Sequence, residues 1–456
     1  MEALVEIEEK SRKIPIWAQV DVLVAGGGTA GVAAAIASAR LGAKTLLVES
    51  TSQLGGSQTN ALVTPMMLNH INGVPLNRGL NEELQNRYAQ FESISASEPL
   101  GKLWHNPTSL AFVLEDAVLE AGADILYNTL CADVLKEGAT VVGAVMENKS
   151  GRGAVLSRVV IDCTGDADLA AKAGVPFQKG NEEGICQPMS LRFTMANVDL
   201  EEAAAFFKSL GIHASPPLMS VGFHEAHESP ISNLVESAEA EGVLEPEDLG
   251  YFQFFTMAGR PNEVNFNCPR LSGFDPTNAW EVSRALTTGR RKIRRIAEFC
   301  KKYLPGFQKA YVSIVAPMLG VRESRRIIGE YVLTEDDIME ARKFPDAIAR
   351  NCYPIDIHNP HGRGTTIRRL PPGEYNEVPY RCLVPLQIDG LLVAGRCISA
   401  TFAAQAAVRV QDNCRAFGQA AGAAAALAAQ LGIQPRHIEF ETLRKALAES
   451  LQQDSK

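Results

Sequence analysis

The chain has 456 residues, 46% of them hydrophobic and 21% charged, with a formal net charge of −9. That length suggests two or three domains, and the composition is that of a soluble globular protein. Acid and base are mixed along the chain, which sets nucleic acid aside as a partner, because phosphate backbones need a basic footprint.

The opening "MEALVEIEEKSRK" carries acidic residues and no apolar stretch, so it does not read as a signal peptide. Residues 20–25 are a short apolar run suited to a buried parallel strand. Gly26, Gly28 and Gly31 then form G-x-G-x-x-G, small residues continue at helical length to Leu41, and "KTLLVE" ends at Glu49. This order is a βαβ unit. The first glycine permits the tight turn, the second admits a pyrophosphate, and the third lets helix and strand approach. Amides at the helix start face the phosphates. Glu49, about twenty residues beyond the loop, is placed to bond ribose hydroxyls and would repel a 2′-phosphate, which disfavours NADP.

A nicotinamide dehydrogenase usually adds further βα units here, but "STSQLGGSQTN" (50–60) follows at once, and its Gly55-Gly56 pair suits backbone passing close to a ligand. Residues 109–170 read as a helix and then strands, the period-two runs being "ADILYNT", "TVVGAVMENK" and "AVLSRVVIDC", the last ending in Thr164-Gly165-Asp166. Farther on, "MSLRFTMANV" (189–198) and "GYFQFFTMAGRPNEVNFN" (250–267) alternate like strands. The stretches 200–211 and 279–304 read as helices, so a sheet covered by helices is expected. The basic run 289–303 reads as the solvated face of a helix. "HEAH" (224–227) has two histidines three apart without further ligands, and no metal site is expected. "CYPIDIHNPHGRG" (352–364) places His358, His361 and Arg363 in a turn-rich segment. Residues 388–428 read as a strand, a Gly-Arg turn, a loop and a long Ala-rich helix. That helix falls short of a membrane span, and Gly418 and Gly422 would let it lie close against a sheet. The nine cysteines show no CxxC or iron–sulfur spacing, so free thiols in a reducing cytoplasm are the expectation.

Three separated pieces, the βαβ loop with Glu49, the "IDCTGD" strand end and the "GLLVAGR" strand, together resemble the two-dinucleotide-type FAD fold of glutathione reductase and of the fumarate reductase and succinate dehydrogenase flavoproteins. Within that group, "LGGSQTN", "MLGVRESRRIIGEYVLTEDDI" (318–338), "CYPIDIHNPHG" (352–362), "VPYRCLVP" (378–385) and "LLVAGRCISATFAAQAAVRV" resemble the FAD-dependent oxidoreductase family. The resemblance implies an α/β protein. A discontinuous Rossmann-like FAD-binding domain, a parallel sheet with helices, would occupy 15–175 and 376–456. An inserted α+β substrate domain, 176–375, would pack over the flavin.

The same resemblance implies resident FAD. Gly26, Gly28, Thr29, Ala30 and Gly31 would hold the pyrophosphate, and Glu49 with Ser50 the adenosine ribose. Gly55, Gly56, Ser57 and Thr59 would follow the phosphate and ribityl region, and the backbone from Ala132 to Val134 would face the adenine. Thr164, Gly165 and Asp168 would close that end, and Gly395 with Arg396 would approach the ribityl chain. A helix beginning near Arg409 and Val410 would aim its amides at the flavin N1/C2=O edge, where charge gathers on reduction. Two departures stand out. Arg396 stands where many relatives carry an acidic residue, so the expected contact to the ribityl hydroxyls there is through backbone rather than side chain. The "GSQT" segment after Gly55 has no histidine until His70, so noncovalent FAD is expected.

The expected reaction is a dehydrogenase's, a hydride moving between a small polar metabolite and flavin N5. It needs a base, for which histidine is the usual choice. His358, at a strand end, ranks ahead of His361. Arg363 could hold a carboxylate in two-pronged fashion. Arg322 of "GVRESRR" would face the substrate, with Arg325 and Arg326 in surface or ion-pair duty. Tyr380 and Arg381 lead into the last FAD strand and would stand near the ring, while Cys382 and Cys397 read as small buried residues. Alternatives remain open. A double-bond reductase of the fumarate type would need an "RGEG"-like segment, which is not found. A flavin monooxygenase would carry a "GDAAH"-like segment where "AGRCIS" stands. A non-catalytic FAD-binding or tRNA-modification scaffold is the fourth reading. With no second GxGxxG and no paired redox cysteines, the electron acceptor or donor is unidentified, and the fold does not set the substrate. Self-association into a homo-oligomer is left open.

Overall fold

The computed structural model describes residues 11–67, 69–94, 103–361 and 364–451. Its first sheet grows from the apolar run read above. Strand β1 (Ile16–Ala25) leads into helix α1 (Thr29–Arg40), and β2 (Thr45–Val48) returns parallel to β1, with Ala25 opposite Val48. Helix α2 (Leu80–Phe91) and helix α3 (Pro107–Glu120) follow, the latter capped by Asn106 with Pro107 at its first position. Then come β3 (Asp124–Leu126), β4 (Leu130–Glu137), β5 (Thr140–Asn148) and β6 (Gly151–Asp162). The order is β3-β2-β1-β6-β5-β4. The pairings β3-β2, β2-β1 and β1-β6 are parallel, and β4 and β5 join as an antiparallel extension. The "GLLVAGR" strand, residues Leu391–Val393, returns from the far end of the chain and pairs parallel with the late half of β6. The Rossmann-like, discontinuous sheet expected from the sequence is present.

The second unit is built on a five-stranded antiparallel sheet. It contains β7 (Phe193–Ala196), β8 (Ser220–Phe223), β9 (Phe252–Met257), β10 (Arg260–Phe266) and β11 (Tyr311–Val315), in the order β8-β9-β10-β7-β11. Helix α4 (Leu200–Ser209), capped by Asp199, and helix α5 (Ala279–Tyr303) cover it. Phenylalanine spacing explains the core: Phe193 and Phe266 stack at 4.5 Å, and Phe252, Phe254 and Phe307 pack edge-on or tilted around them. The basic run of α5 turns Ile293, Ile296, Phe299 and Cys300 inward and leaves most of its cations at the surface, the solvated face expected.

Two features differ from the sequence reading. The second core draws on Leu62 and on residues from Met189 to Leu319, whereas Leu333, Ile338, Ala349, Ile355 and Leu370 pack into the first core. The chain therefore rejoins the nucleotide unit well before residue 375. The Ala-rich helix also packs differently. It divides into α6 (Phe402–Val408) and α7 (Gln411–Leu431), and its glycines face a helix rather than the sheet. A Cβ on Gly418 or Gly422 would lie 2.0 or 2.2 Å from the carbonyl oxygens of Ala30 and Ala34, so glycine is what lets α7 and α1 touch backbone to backbone. Among the described residues, no helix is long and apolar enough to cross a membrane.

Candidate functional site

A single cavity of about 1000 Å³ runs from the glycine loop to the sheet of the second unit. Its outer part is lined by Gly26, Gly28, Thr29, Ala30, Glu49, Ser50, Gly56, Ser57, Thr164, Gly165, Asp168, Gly395, Arg396, Arg409 and Val410, all expected there from the sequence. Three further candidates shape this wall without facing it. A Cβ on Gly31 would sit 1.8 Å from the Gly26 carbonyl oxygen, so that glycine lets helix meet turn. Gly55, at φ +103°, donates its N–H to the Gly27 carbonyl at 2.8 Å and docks its loop on the first turn. Thr59 is buried, and its hydroxyl donates to the Leu54 carbonyl. Ala132 and Val134 do not line the cavity, which meets Thr129 just before β4 and Leu130 and Cys131 at its start.

The geometry suits a dinucleotide. Gly56, at φ +52°, leaves room that a Cβ would take, 2.9 Å from the Gly28 Cα. The start of α1 is capped by Gly28 and the start of α7 by Val410, neither with a side-chain cap, and both cap residues line the cavity. Two sets of free helix amides therefore face the space a pyrophosphate and a flavin would fill. Glu49 is 6% exposed, and its Oε2 accepts from the Gly27 N–H at 2.6 Å while Oε1 accepts from the Thr51 N–H and hydroxyl, each at 2.8 Å. The carboxylate is thus held at the strand end beside the loop. Arg396 points its guanidinium along Gly165 and pairs with Asp166 at 2.7 Å, so its charge is spent inside the wall.

Helix α7 owes its position to a buried amide network. Asp412 accepts from Asn69, Asn77 and Asn81, and Asn413 donates to Asn351. Burial pushes the Asp412 carboxyl up to about 6, against the pull of these donors.

The inner wall is where the sequence was less explicit. Strand β12 (Ile355–His358) puts Asp356 and His358 on one face, because strand residues alternate. The Asp356 Oδ2 lies 3.6 Å from His358 Nε2 and 3.8 Å from Arg409 Nη2, and accepts from the Tyr353 hydroxyl at 3.1 Å. Burial first, then the Arg322 guanidinium, hold His358 well below its usual range, so its imidazole is neutral at neutral pH. Asp356 is held below the usual carboxylate range by His358, Arg409 and Arg322, which outweigh its burial. His358 Nδ1 is buried and accepts nothing among the described residues. Arg192 and Arg322 complete this wall. Arg322 donates to the Pro188 carbonyl at 2.7 Å, and Arg192 to the Asn265 side-chain oxygen at 3.1 Å. Asp356, Tyr353 and Arg192 were not singled out from the sequence. The signals were there: an aspartate two before a histidine in a strand, and an arginine inside the apolar run "MSLRFTM".

Other candidates lie elsewhere. Tyr380 is buried in a 3₁₀ turn with its hydroxyl donating to the Pro435 carbonyl, and Arg381 grips Asp346 with two N–H groups at 2.9 and 3.1 Å. Neither reaches the cavity, because the turn faces the nucleotide unit's own core. His361 is exposed and pairs with Glu183 at 3.1 Å. Arg363 lies outside the described residues. Arg325 pairs with Asp168, and Arg326 is buried against Glu323. Cys382 and Cys397 are fully buried free thiols. Of the "HEAH" pair, His224 lines the cavity, whereas His227 bonds Glu225 and Glu239 at 3.0 and 2.7 Å.

Comparison with known proteins bears on what fills this cavity. Residues 21–447 match the model of a family described as FAD dependent oxidoreductase. Curated relatives include digeranylgeranylglycerophospholipid reductase 2 of Methanothermobacter thermautotrophicus, 28% identical over 207 residues that cover 41% of this chain and 50% of the relative. The digeranylgeranylglycerophospholipid reductase of Picrophilus torridus is 28% identical over 194 residues, covering 40% and 48%. The match thus spans about half the length of each of these relatives. Among solved structures, a geranylgeranyl bacteriochlorophyll reductase-like protein of Thermoplasma acidophilum aligns with a TM-score of 0.43 at 14% identity, over 94% of this chain and 82% of that one.

Proposed function

The chain belongs to the FAD dependent oxidoreductase family, with FAD as its noncovalently held cofactor, and from that premise we propose a dehydrogenase that takes a hydride from a C–H bond of a small polar metabolite. FAD, when bound, supplies a two-electron acceptor for that hydride. The glycine loop, Gly56, Ser57 and the starts of α1 and α7 would hold it, with Glu49 at the ribose.

The observation that carries the reading is that one cavity joins the glycine cradle to His358, whose Nδ1 is buried without a partner among the described residues. If Nε2–H faces Asp356, Nδ1 is the basic nitrogen, and a rotation of the ring that brings it to the cavity would let it take the substrate's O–H or N–H proton as the C–H bond gives up its hydride. The carbinol becomes a carbonyl, or the amine an imine. Closing the cycle would need an electron acceptor, and no motif in the chain identifies one. Asp356 orients the imidazole and offsets the charge it gains, as a carboxylate does for a histidine base.

A double-bond reductase, passing a hydride and a proton to a C=C bond, is the second reading, favoured by the curated relatives, which are named as reductases. Their names describe a geranylgeranyl lipid. An inner wall with Arg192, Arg322 and Asp356 suits a polar substrate better than a long apolar chain, since charges against hydrocarbon are costly. The test is anaerobic mixing of the FAD-loaded protein with hydroxy acids, polyols, amino acids and unsaturated acids. Loss of flavin colour with a saturated alcohol or amine supports the dehydrogenase. Reoxidation of pre-reduced protein by an unsaturated acid, with no compound reducing it, overturns it in favour of the reductase.

A further inference from the structure

The cationic groups at the two ends of the cavity are treated differently. At the outer end Arg396 has its own anion, Asp166, at 2.7 Å. At the inner end Arg192 is 4% and Arg322 9% exposed, and among the described residues neither has a carboxylate within ion-pair distance. Their acceptors are uncharged: the Leu62 carbonyl and the Asn265 amide oxygen for Arg192, the Pro188 carbonyl for Arg322. A third guanidinium, Arg270, lies over the Tyr251 ring at 4.0 Å and holds Gly364 and Thr365. Among the described residues the one acid on this wall is Asp356, already shared by Tyr353, His358 and Arg409. Ser190 also lines the wall, its hydroxyl buried without a partner among the described residues. Charge repulsion adds to this picture: burial, Arg270 and Arg409 push Arg322 down to about 9, which leaves it charged at neutral pH.

Buried guanidiniums without anions are costly, and a fold keeps them where something else brings the negative charge. The cofactor's phosphates do not serve here, since the glycine loop that suits them packs on Glu49, Cys163 and Thr164, whereas Arg192 and Arg322 bond Leu62, Asn265 and Pro188. We propose that Arg192 and Arg322 form an anion-binding subsite that holds an acidic group of the substrate, a carboxylate or a phosphate ester, beside His358. This rests on the functional reading above and narrows its substrate to organic anions. A two-pronged guanidinium grip would also fix which carbon faces the base.

The test is calorimetric titration of the purified, FAD-containing protein with succinate, malate and benzoate, with the uncharged amide of each, and with glycerol 3-phosphate beside glycerol. Each anion that fits is expected to bind at least about tenfold tighter than its neutral analogue, the worth of one charged hydrogen bond. Preference for the carboxylates or for glycerol 3-phosphate tells which acid the site takes. Arg322→Gln and Arg192→Gln should remove that preference while flavin content stays unchanged. Should either variant fail to fold, inorganic sulfate competing with the bound acid on the unmodified protein gives the same answer. Anions binding no better than their neutral partners, or none binding and sulfate failing to bind, overturns the subsite. If in that case a neutral polyol still bleaches the flavin, the dehydrogenase reading survives. If nothing reduces the flavin but acids bind with the stated preference, the subsite stands and the reaction assignment falls.

Discussion

Asp356 Oδ2 stands 3.6 Å from His358 Nε2, on the same face of one short strand. The pairing is opposed by burial and by Arg322, and these win: His358 is held well below its usual range. A base must be neutral to work, so the rate of anaerobic flavin reduction should rise with pH along an acid limb lying below pH 6.5 and be flat near pH 7. His358→Asn should slow that step by about 10²- to 10⁴-fold with flavin still bound. Stopped-flow reduction from pH 5 to 8 checks both. An acid limb centred above pH 7 would exclude His358 as the base.

Glu49 bridges the glycine turn and the strand end through Gly27 and Thr51. Glu49→Ala should weaken FAD retention by about 10- to 100-fold, on the order of one charged hydrogen bond. The reduction rate of whatever flavin remains should change little. Equilibrium dialysis against FAD, read with the bleaching rate, separates the two effects.

The start of α7 is held by Asp412, whose carboxylate accepts from three asparagines. Asp412→Ala leaves buried amides without their acceptor and should cost about 3 kcal/mol, seen as a melting temperature lower by on the order of 5 °C. FAD should then leak more readily as well, because Val410 and Gln411 at that helix start line the cavity. Thermal melts with and without added FAD measure both.

His105 is 2% exposed, and burial pushes it down to about 3. The folded chain keeps it neutral, while the unfolded chain takes up a proton near pH 6.5. Stability from this residue is therefore intact above that pH and lost as pH falls toward the folded value. Between pH 7 and 5 the wild type should lose about 2 kcal/mol more than His105→Gln, by denaturant unfolding at the two pH values. Equal losses would show that His105 is protonated in the fold.

The nucleotide half was legible because its signals are local. Gly26, Gly28 and Gly31 each answer to a turn, a phosphate approach or a helix contact within a few residues, and the strand–helix–strand order around them admits few other folds. The inner wall was partly hidden because it is assembled across long separations. Arg192 donates to Asn265, 73 residues on, and His358 donates its backbone N–H to the Gln187 side chain, 171 residues back. Tyr380 and Arg381 misled because proximity in sequence to the last strand does not fix the direction of a turn; here the turn points its tyrosine at Pro435. At β4 the cavity touches Leu130 and Cys131 rather than Ala132 and Val134, since register on a half-exposed strand is weakly written in its pattern.

The most direct measurement is anaerobic reduction of the bound flavin by a substrate, followed at its visible band, in wild type and His358→Asn at equal flavin content. We predict rapid bleaching in the wild type and a loss of at least about a hundredfold in the variant. Bleaching at the same rate in both, or a wild-type protein that binds no FAD, would contradict the account.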